Sequence, residues 1–140
     1  MSMYGKFQHT IDAKGRLFIP AKLRERLGES FYVTISWEKC LTVYSNERWA
    51  NAEERLMSMP QTAQMEFRPI FSNAVNVELD GQGRILLPQT LREHACLTKN
   101  VTIVGTGLYV QIWDSETYEP IEGAETDREN LKNVIEKHGF

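Results

Sequence analysis

Cysteine is scarce in this chain: two residues, Cys40 and Cys96, stand among 140 and form no CxxC pair. They read as free thiols in a reducing compartment, with a structural disulfide as the alternative. No apolar run approaches the roughly 20 residues needed to cross a bilayer, so no membrane partner is expected. The N-terminus has no basic region followed by an apolar stretch, so nothing points to secretion. His9, His94 and His138 lack metal-ligand spacing among themselves or with the cysteines, and no metal is expected. There is no GxSxG elbow and no Walker loop. The run Gly81-Gln82-Gly83-Arg84 is too short for a dinucleotide fingerprint, and a strand rather than a long helix follows it. No enzyme activity, cofactor or small-molecule substrate is therefore expected. A basic excess is missing too: the formal net charge is −3, which taken alone argues mildly against a nucleic-acid partner.

Net charge hides its distribution. Residues 1–27 hold six Lys/Arg against two Asp/Glu, whereas residues 114–140 hold three against eight. A basic start can attract phosphate while an acidic end keeps the chain soluble. The apolar content of 41% and charged content of 25% are ordinary for a globular protein. A chain of 140 residues is long enough to bury one real core.

The chain also repeats itself. "IDAKGRLFIP" at residues 11–20 returns as "LDGQGRILLP" at residues 79–88, an offset of 68 residues. Asp12, Gly15, Arg16 and Pro20 meet Asp80, Gly83, Arg84 and Pro88. Farther out, Leu23-Arg24-Glu25 meets Leu91-Arg92-Glu93, and Val33-Thr34-Ile35 meets Val101-Thr102-Ile103. After one inserted residue, Tyr44, Ser45 and Trp49 meet Trp113, Asp114 and Tyr118. Two copies of so long a unit imply a pseudo-twofold arrangement, since solenoids need three or more.

Each unit reads as strand, turn, strand, short helix, strand, strand. Phe7 to Ile11 and Leu17 to Ile19 are predicted strands around a glycine-containing turn. Asp12 suits the start of the turn because its carboxylate accepts from backbone N–H groups, and Gly15 suits a left-handed position near its end. Pro20 opens a short helix and Gly28 closes it. Phe31 to Ser36 and Cys40 to Tyr44 follow as strands. In the second unit, residues 101–104 and 108–113 are their counterparts. Between the units, Ser45 or Asn46 caps a helix carrying Trp49, Ala52, Leu56 and Met59, which Pro60 ends. A second helical segment from about Thr62 is divided near Pro69. These stripes are either core or a subunit interface. Near the end, Thr126 and Glu129 match a capping box ahead of Leu131, Val134 and Ile135.

The turn projects Arg16, with Lys14 beside it, and the second turn projects Arg84. Under pseudo-twofold symmetry the two arginines share one surface. A guanidinium matches phosphate oxygens or a guanine edge in bidentate fashion, and a β-ribbon fits a major groove. The alternative is that Asp12–Arg16 and Asp80–Arg84 simply pair across their hairpins, worth only about 0 to 1 kcal/mol if exposed. Both can hold at once. Arg24, Arg92 and Lys22 occupy either a solvated helix face or auxiliary phosphate contacts.

Three stretches carry a family resemblance: "YGKFQHTIDAKGRLFIPAKLRE", "FSNAVNVELDGQGRILLPQTLREHA" and "GTGLYVQIWDSETYE". From Met3 to about Glu122 the chain resembles the MraZ family of the AbrB/SpoVT superfamily. The resemblance implies an α+β protein: a pseudo-twofold swapped-hairpin β-barrel of two repeats with flanking helices. It places the first repeat at 3–50, a helical connection at 51–75, the second repeat at 76–122 and an acidic C-terminal helix at 123–140. It implies a non-enzymatic regulator of transcription, cytoplasmic and nucleoid-associated. Its partners would be double-stranded DNA at promoter direct repeats, including its own promoter and the division and cell-wall gene cluster. It also implies a homo-oligomeric ring. Arg16, Arg84, Lys14, Asp12, Asp80, Arg24 and Arg92 become the expected DNA-site residues. An antitoxin-like DNA binder of the same fold and a purely structural interaction module are the rivals.

Overall fold

β-Branched and aromatic residues at every second position build the central sheet. In the computed structural model, which describes residues 2–140, eight strands and seven helices alternate. The first unit contains β1 (Met3–Thr10), β2 (Arg16–Phe18), α1 (Ala21–Leu27), β3 (Ser30–Ile35) and β4 (Leu41–Ser45). Three helices follow: α2 (Asn46–Met57), α3 (Gln61–Glu66) and α4 (Arg68–Ser72). The second unit repeats the order as β5 (Val75–Glu78), β6 (Arg84–Leu86), α5 (Gln89–His94), β7 (Asn100–Gly107) and β8 (Val110–Asp114). It is followed by α6 (Ser115–Glu125) and α7 (Arg128–Lys137).

Six strands form one antiparallel sheet in the order β1-β7-β8-β4-β3-β5. The two units exchange strands within it. β1 pairs with β7 of the other unit from Met3↔Gly107 to Thr10↔Asn100, and β5 pairs with β3 from Ser30↔Glu78 to Val33↔Val75. The ladder does not close on itself: β1 and β5 are its edges among the described residues. The α+β class and the two exchanged repeats are thus present, while the open sheet does not confirm the expected swapped-hairpin β-barrel. The reason lies in the turns, which fold β2 and β6 out of the sheet so that they pair with each other. Among the described residues, the isolated Ile11–Leu17 bridge is the one β-bridge between the two arms of the first hairpin.

The pleat sorts side chains by parity. Phe31, Val33, Leu41, Val43, Val101, Ile103, Val110 and Ile112 are buried on one face, and Leu17, Ile85, Leu23, Leu27, Leu91 and Ala95 join them in one core. That face is covered by the β2–β6 ribbon with α1 and α5. The other face carries the intervening helices. Trp49 of α2 stacks on Tyr32 with ring centres 5.0 Å apart, and Tyr118 of α6 meets Trp113 at 5.2 Å. Cys40 is buried in this second cluster beside Val104 and Trp113. Burial pushes its thiol up to about 11. Both cysteines are free.

Several predicted boundaries move. β1 begins at Met3, ahead of the expected Phe7, because its partner β7 extends to Gly107 and pairs with it throughout. Ser45 caps α2, accepting from the Arg48 N–H at 3.3 Å, as its residue type predicts. The final helix is capped by Asp127, which accepts from the Asn130 N–H, while the Thr126 hydroxyl donates back to the Glu122 carbonyl. The expected capping box is thereby replaced by a cap one residue later. α6 is the counterpart of α2, as the pairing of Ser45 with Asp114 and Trp49 with Tyr118 implies. Pro120 inside it hides the helix in the sequence. Cys96 has φ +53°, where the first unit has Gly28 at φ +86°. A non-glycine residue there costs about 1 to 2 kcal/mol.

Candidate nucleic-acid interface

The two turns are built alike, bond for bond. The Asp12 N–H donates to the Arg16 carbonyl at 3.1 Å, and the Gly15 N–H donates to the Asp12 carbonyl at 3.0 Å. The Asp80 N–H donates to the Arg84 carbonyl at 2.8 Å, and the Gly83 N–H to the Asp80 carbonyl at 3.0 Å. Gly15 and Gly83 both lie in the left-handed region, at φ +87° and +76°. Each carboxylate then does two things. Asp12 Oδ1 accepts the Lys14 and Arg16 backbone N–H groups at 3.0 and 2.9 Å, and its Oδ2 accepts Arg16 Nε at 2.7 Å. Asp80 Oδ1 accepts the Gln82 and Arg84 N–H groups at 2.8 and 2.9 Å, and its Oδ2 accepts Arg84 Nε at 3.0 Å.

Bracing and orientation thus use separate oxygens of one side chain. The carboxylate closes the turn and holds its arginine by Nε. Among the described residues, the Nη groups of Arg16 and Arg84 have no hydrogen-bond acceptor, which leaves these donors of each guanidinium unoccupied by protein. Donation from the Arg16 backbone N–H, assisted by the Arg16 side chain and the Lys14 N–H, lowers the Asp12 pKa below the ordinary 3.8. Asp80 is lowered likewise, first by the Arg84 backbone N–H. A depressed carboxyl pKa stabilises the turn above the unfolded-state value and is lost as pH falls through the folded value. The Arg16 and Arg84 Nε–H signals are therefore expected to stay protected from solvent exchange at neutral pH. They should lose that protection only below the usual carboxylate range, as NMR exchange at stepped pH would show.

The ribbon sets where the arginines stand. Its register pairs Arg16 with Leu86, Leu17 with Ile85 and Phe18 with Arg84. Ile19 N–H to Gly83 O and Leu87 N–H to Gly15 O, both 2.9 Å, extend the pairing by one residue at each end. Leu17 and Ile85 are equivalent positions of the repeat and face each other directly, so the pseudo-twofold passes through this pair. They point inward at 0% and 1% exposure. Arg16, Phe18, Arg84 and Leu86 consequently share the outer face. Arg16 and Arg84 are diagonal neighbours across the ribbon, about 7–8 Å apart.

The other expected residues fall differently. Lys14 is exposed at the tip of the first turn, and the aligned residue of the second turn is the neutral Gln82. Arg24 and Arg92 are half-buried, each against the other unit's turn. Sequence reasoning did not anticipate Phe18, whose ring packs beside His9 at 5.2 Å and under Arg24 at 5.1 Å. The alternation of Arg16 and Phe18 around the apolar Leu17 was its signal. No group of three or more His, Cys, Asp or Glu suited to a metal ion occurs among the described residues.

Known proteins carry the same pattern. A family model described as "MraZ protein, putative antitoxin-like" matches residues 3–68 and 70–137, one match for each unit. The chain is 47% identical over 125 residues to a protein of Acetivibrio thermocellus named Transcriptional regulator MraZ, covering 87% of each chain. A protein of the same name from Heliobacterium modesticaldum is 50% identical over 117 residues, covering 81% of this chain and 82% of the relative. One from Desulforamulus reducens is 44% identical over 137 residues, covering 94% and 96%. With two matched units and identity of this extent along nearly its whole length, the chain belongs to the MraZ family.

Proposed function

We propose that the protein is a sequence-specific DNA-binding regulator of transcription that reads duplex DNA with its two Asp-x-x-x-Arg turns. The observation that carries this reading is the β2–β6 ribbon. It presents two arginines on one outer face, each held by Nε and with its bidentate end unoccupied by protein. Such forks match phosphates or the O6/N7 edge of guanine. The relatives' name, Transcriptional regulator MraZ, supports the same reading. Lys14 adds charge at the first turn only, so the two turns contact DNA unequally. Asp12 and Asp80 orient and do not touch.

The finer parts of the reading follow the family resemblance. They are a swapped-hairpin unit, a homo-oligomeric ring, promoter direct repeats ahead of its own gene and of the division and cell-wall cluster, and a nucleoid-associated cytoplasmic protein. A ring offsets the acidic net charge, because several modest basic loops on one face add through effective concentration. No helix among the described residues is long and apolar enough to cross a membrane.

The test is binding to DNA from upstream of its own coding sequence, with Arg16→Ala, Arg84→Ala and the double variant. Each single change should cost about 1–3 kcal/mol, and the double at least about thirtyfold in affinity. Binding should also fall steeply with salt. Undiminished binding by the double variant would remove these arginines from the interface and leave the turns as structural braces. A small toxin co-purifying with the protein would instead favour the antitoxin-like reading. The exposed Leu131, Val134 and Ile135 of α7 are where such a partner would sit.

A further inference from the structure

Two half-buried arginines remain beside the turns. Arg24 stands on α1 of the first unit and Arg92 on α5 of the second. Each lies on the other unit's turn. A Cβ placed at Gly83 would sit 2.6 Å from Arg24 Nη1 and 2.9 Å from its Cζ, and one placed at Gly15 would sit 2.9 Å from Arg92 Nε. The guanidinium groups thus rest on the backbone of the residue immediately before Arg84 and Arg16. Glycine at both places is what permits so close an approach.

The far sides of the two guanidiniums are held differently. Arg24 Cζ is 5.1 Å from the centre of the Phe18 ring. Arg92 has Leu86 at the aligned position, with no ring to stack on, and donates from Nε to the Leu87 carbonyl at 3.0 Å. Among the described residues, the buried Arg24 Nε has no hydrogen-bond partner. Its group is held as a plane between ring and glycine. The cleft between α1 and the second turn, which Arg24 lines, also carries Glu25, Glu29, Glu78 and Asp80. Those carboxylates repel an approaching phosphate.

We propose that Arg24 and Arg92 are positioning residues that clamp the opposite unit's turn, Arg24 setting Arg84 and Arg92 setting Arg16, and that neither contacts phosphate. The clamp makes each DNA-reading loop depend on the other half of the chain. It is an internal crossed brace, which explains why the arginines recur at the same place in both units. The affinity part of this proposal rests on the DNA-binding reading above; the spectroscopic part does not.

The test has two arms. In the first, arginine Nε–H and glycine amide signals are assigned by NMR. Arg24→Met should move the Arg84 Nε–H and Gly83 amide signals and leave those of Arg16 and Gly15 near their wild-type positions; Arg92→Met should do the converse. Shifts confined to the variant's own unit would overturn the clamp. If Arg24→Met fails to fold, Arg24→Lys carries the same readout, because an ammonium keeps the charge but lacks the plane. In the second arm, binding to a labelled duplex from upstream of the protein's own gene is measured across salt concentrations. Arg24→Met should bind about tenfold more weakly at each salt, the scale of one misplaced hydrogen-bonded contact, with an unchanged salt slope. A slope reduced by about one, as loss of a phosphate contact gives, would overturn the proposal. So would wild-type affinity in Arg24→Lys. If Arg16→Ala and Arg84→Ala leave binding intact while the crossed shifts persist, the DNA reading fails and the clamp stands.

Discussion

Gly83→Val should lower the unfolding free energy by about 2–5 kcal/mol, whereas Gly81→Ala, two residues away in the same turn, should leave it unchanged or raise it by up to about 1 kcal/mol. Two effects act together at Gly83. Its φ of +76° is costly for any residue with a Cβ and worst for a β-branched one. The new side chain would also meet Arg24 Nη1 at 2.6 Å and the Phe18 ring at 3.2 Å. Neither can yield easily, because each packs on the other. At Gly81 no described atom beyond the flanking residues lies within 4 Å of a Cβ placed there, and φ is not positive. The repeat makes the same point: its aligned residue in the first turn is Ala13. Urea unfolding of the two variants beside the wild type decides this. Equal midpoints for Gly83→Val and wild type would refute the left-handed turn.

Leu17→Ala should cost about 2–5 kcal/mol, while Leu86→Ala on the neighbouring strand should stay within about 0.5 kcal/mol of wild type. Leu17 is fully buried and pairs directly with Ile85, at the centre of the pseudo-twofold, whereas Leu86 is 58% exposed. Truncating Leu17 removes contacts on the underside of the ribbon where the surrounding sheet cannot collapse to fill the space. Because Ile85 faces it, Leu17→Ala with Ile85→Ala should be non-additive. The ribbon also aims Arg16 and Arg84, so under the DNA-binding function proposed above, loosening it should weaken binding without touching either arginine. If Leu86→Ala proved the costlier change, the inner and outer faces of the ribbon would have to be exchanged, and the arginines would lie inward.

Much of the site was legible because its logic is local. An aspartate that accepts backbone N–H groups, a glycine three residues on and an arginine next to it specify a turn within five residues, and finding the set twice at one offset implies symmetry. Helix caps such as Ser45 were legible for the same reason. The C-terminal region was less so. Pro120 masks α6, and Asp127 and Thr126 compete for the cap of α7. The choice between them depends on where α6 ends and frees its carbonyls.

The chain alone, through residue chemistry at short range, determined the duplicated turns, the proline-led helices, the apolar alternation of the strands and the family to which the protein belongs. Only the three-dimensional structure decided which strand pairs with which. It placed β1 on β7 and β5 on β3, left the sheet open, crossed β2 with β6, and laid Arg24 and Arg92 on turns 59 and 77 residues away. Strand partners and side-chain stacking across the symmetry axis are set by burial and packing between segments distant in the chain. A pattern of neighbouring residues carries no record of that.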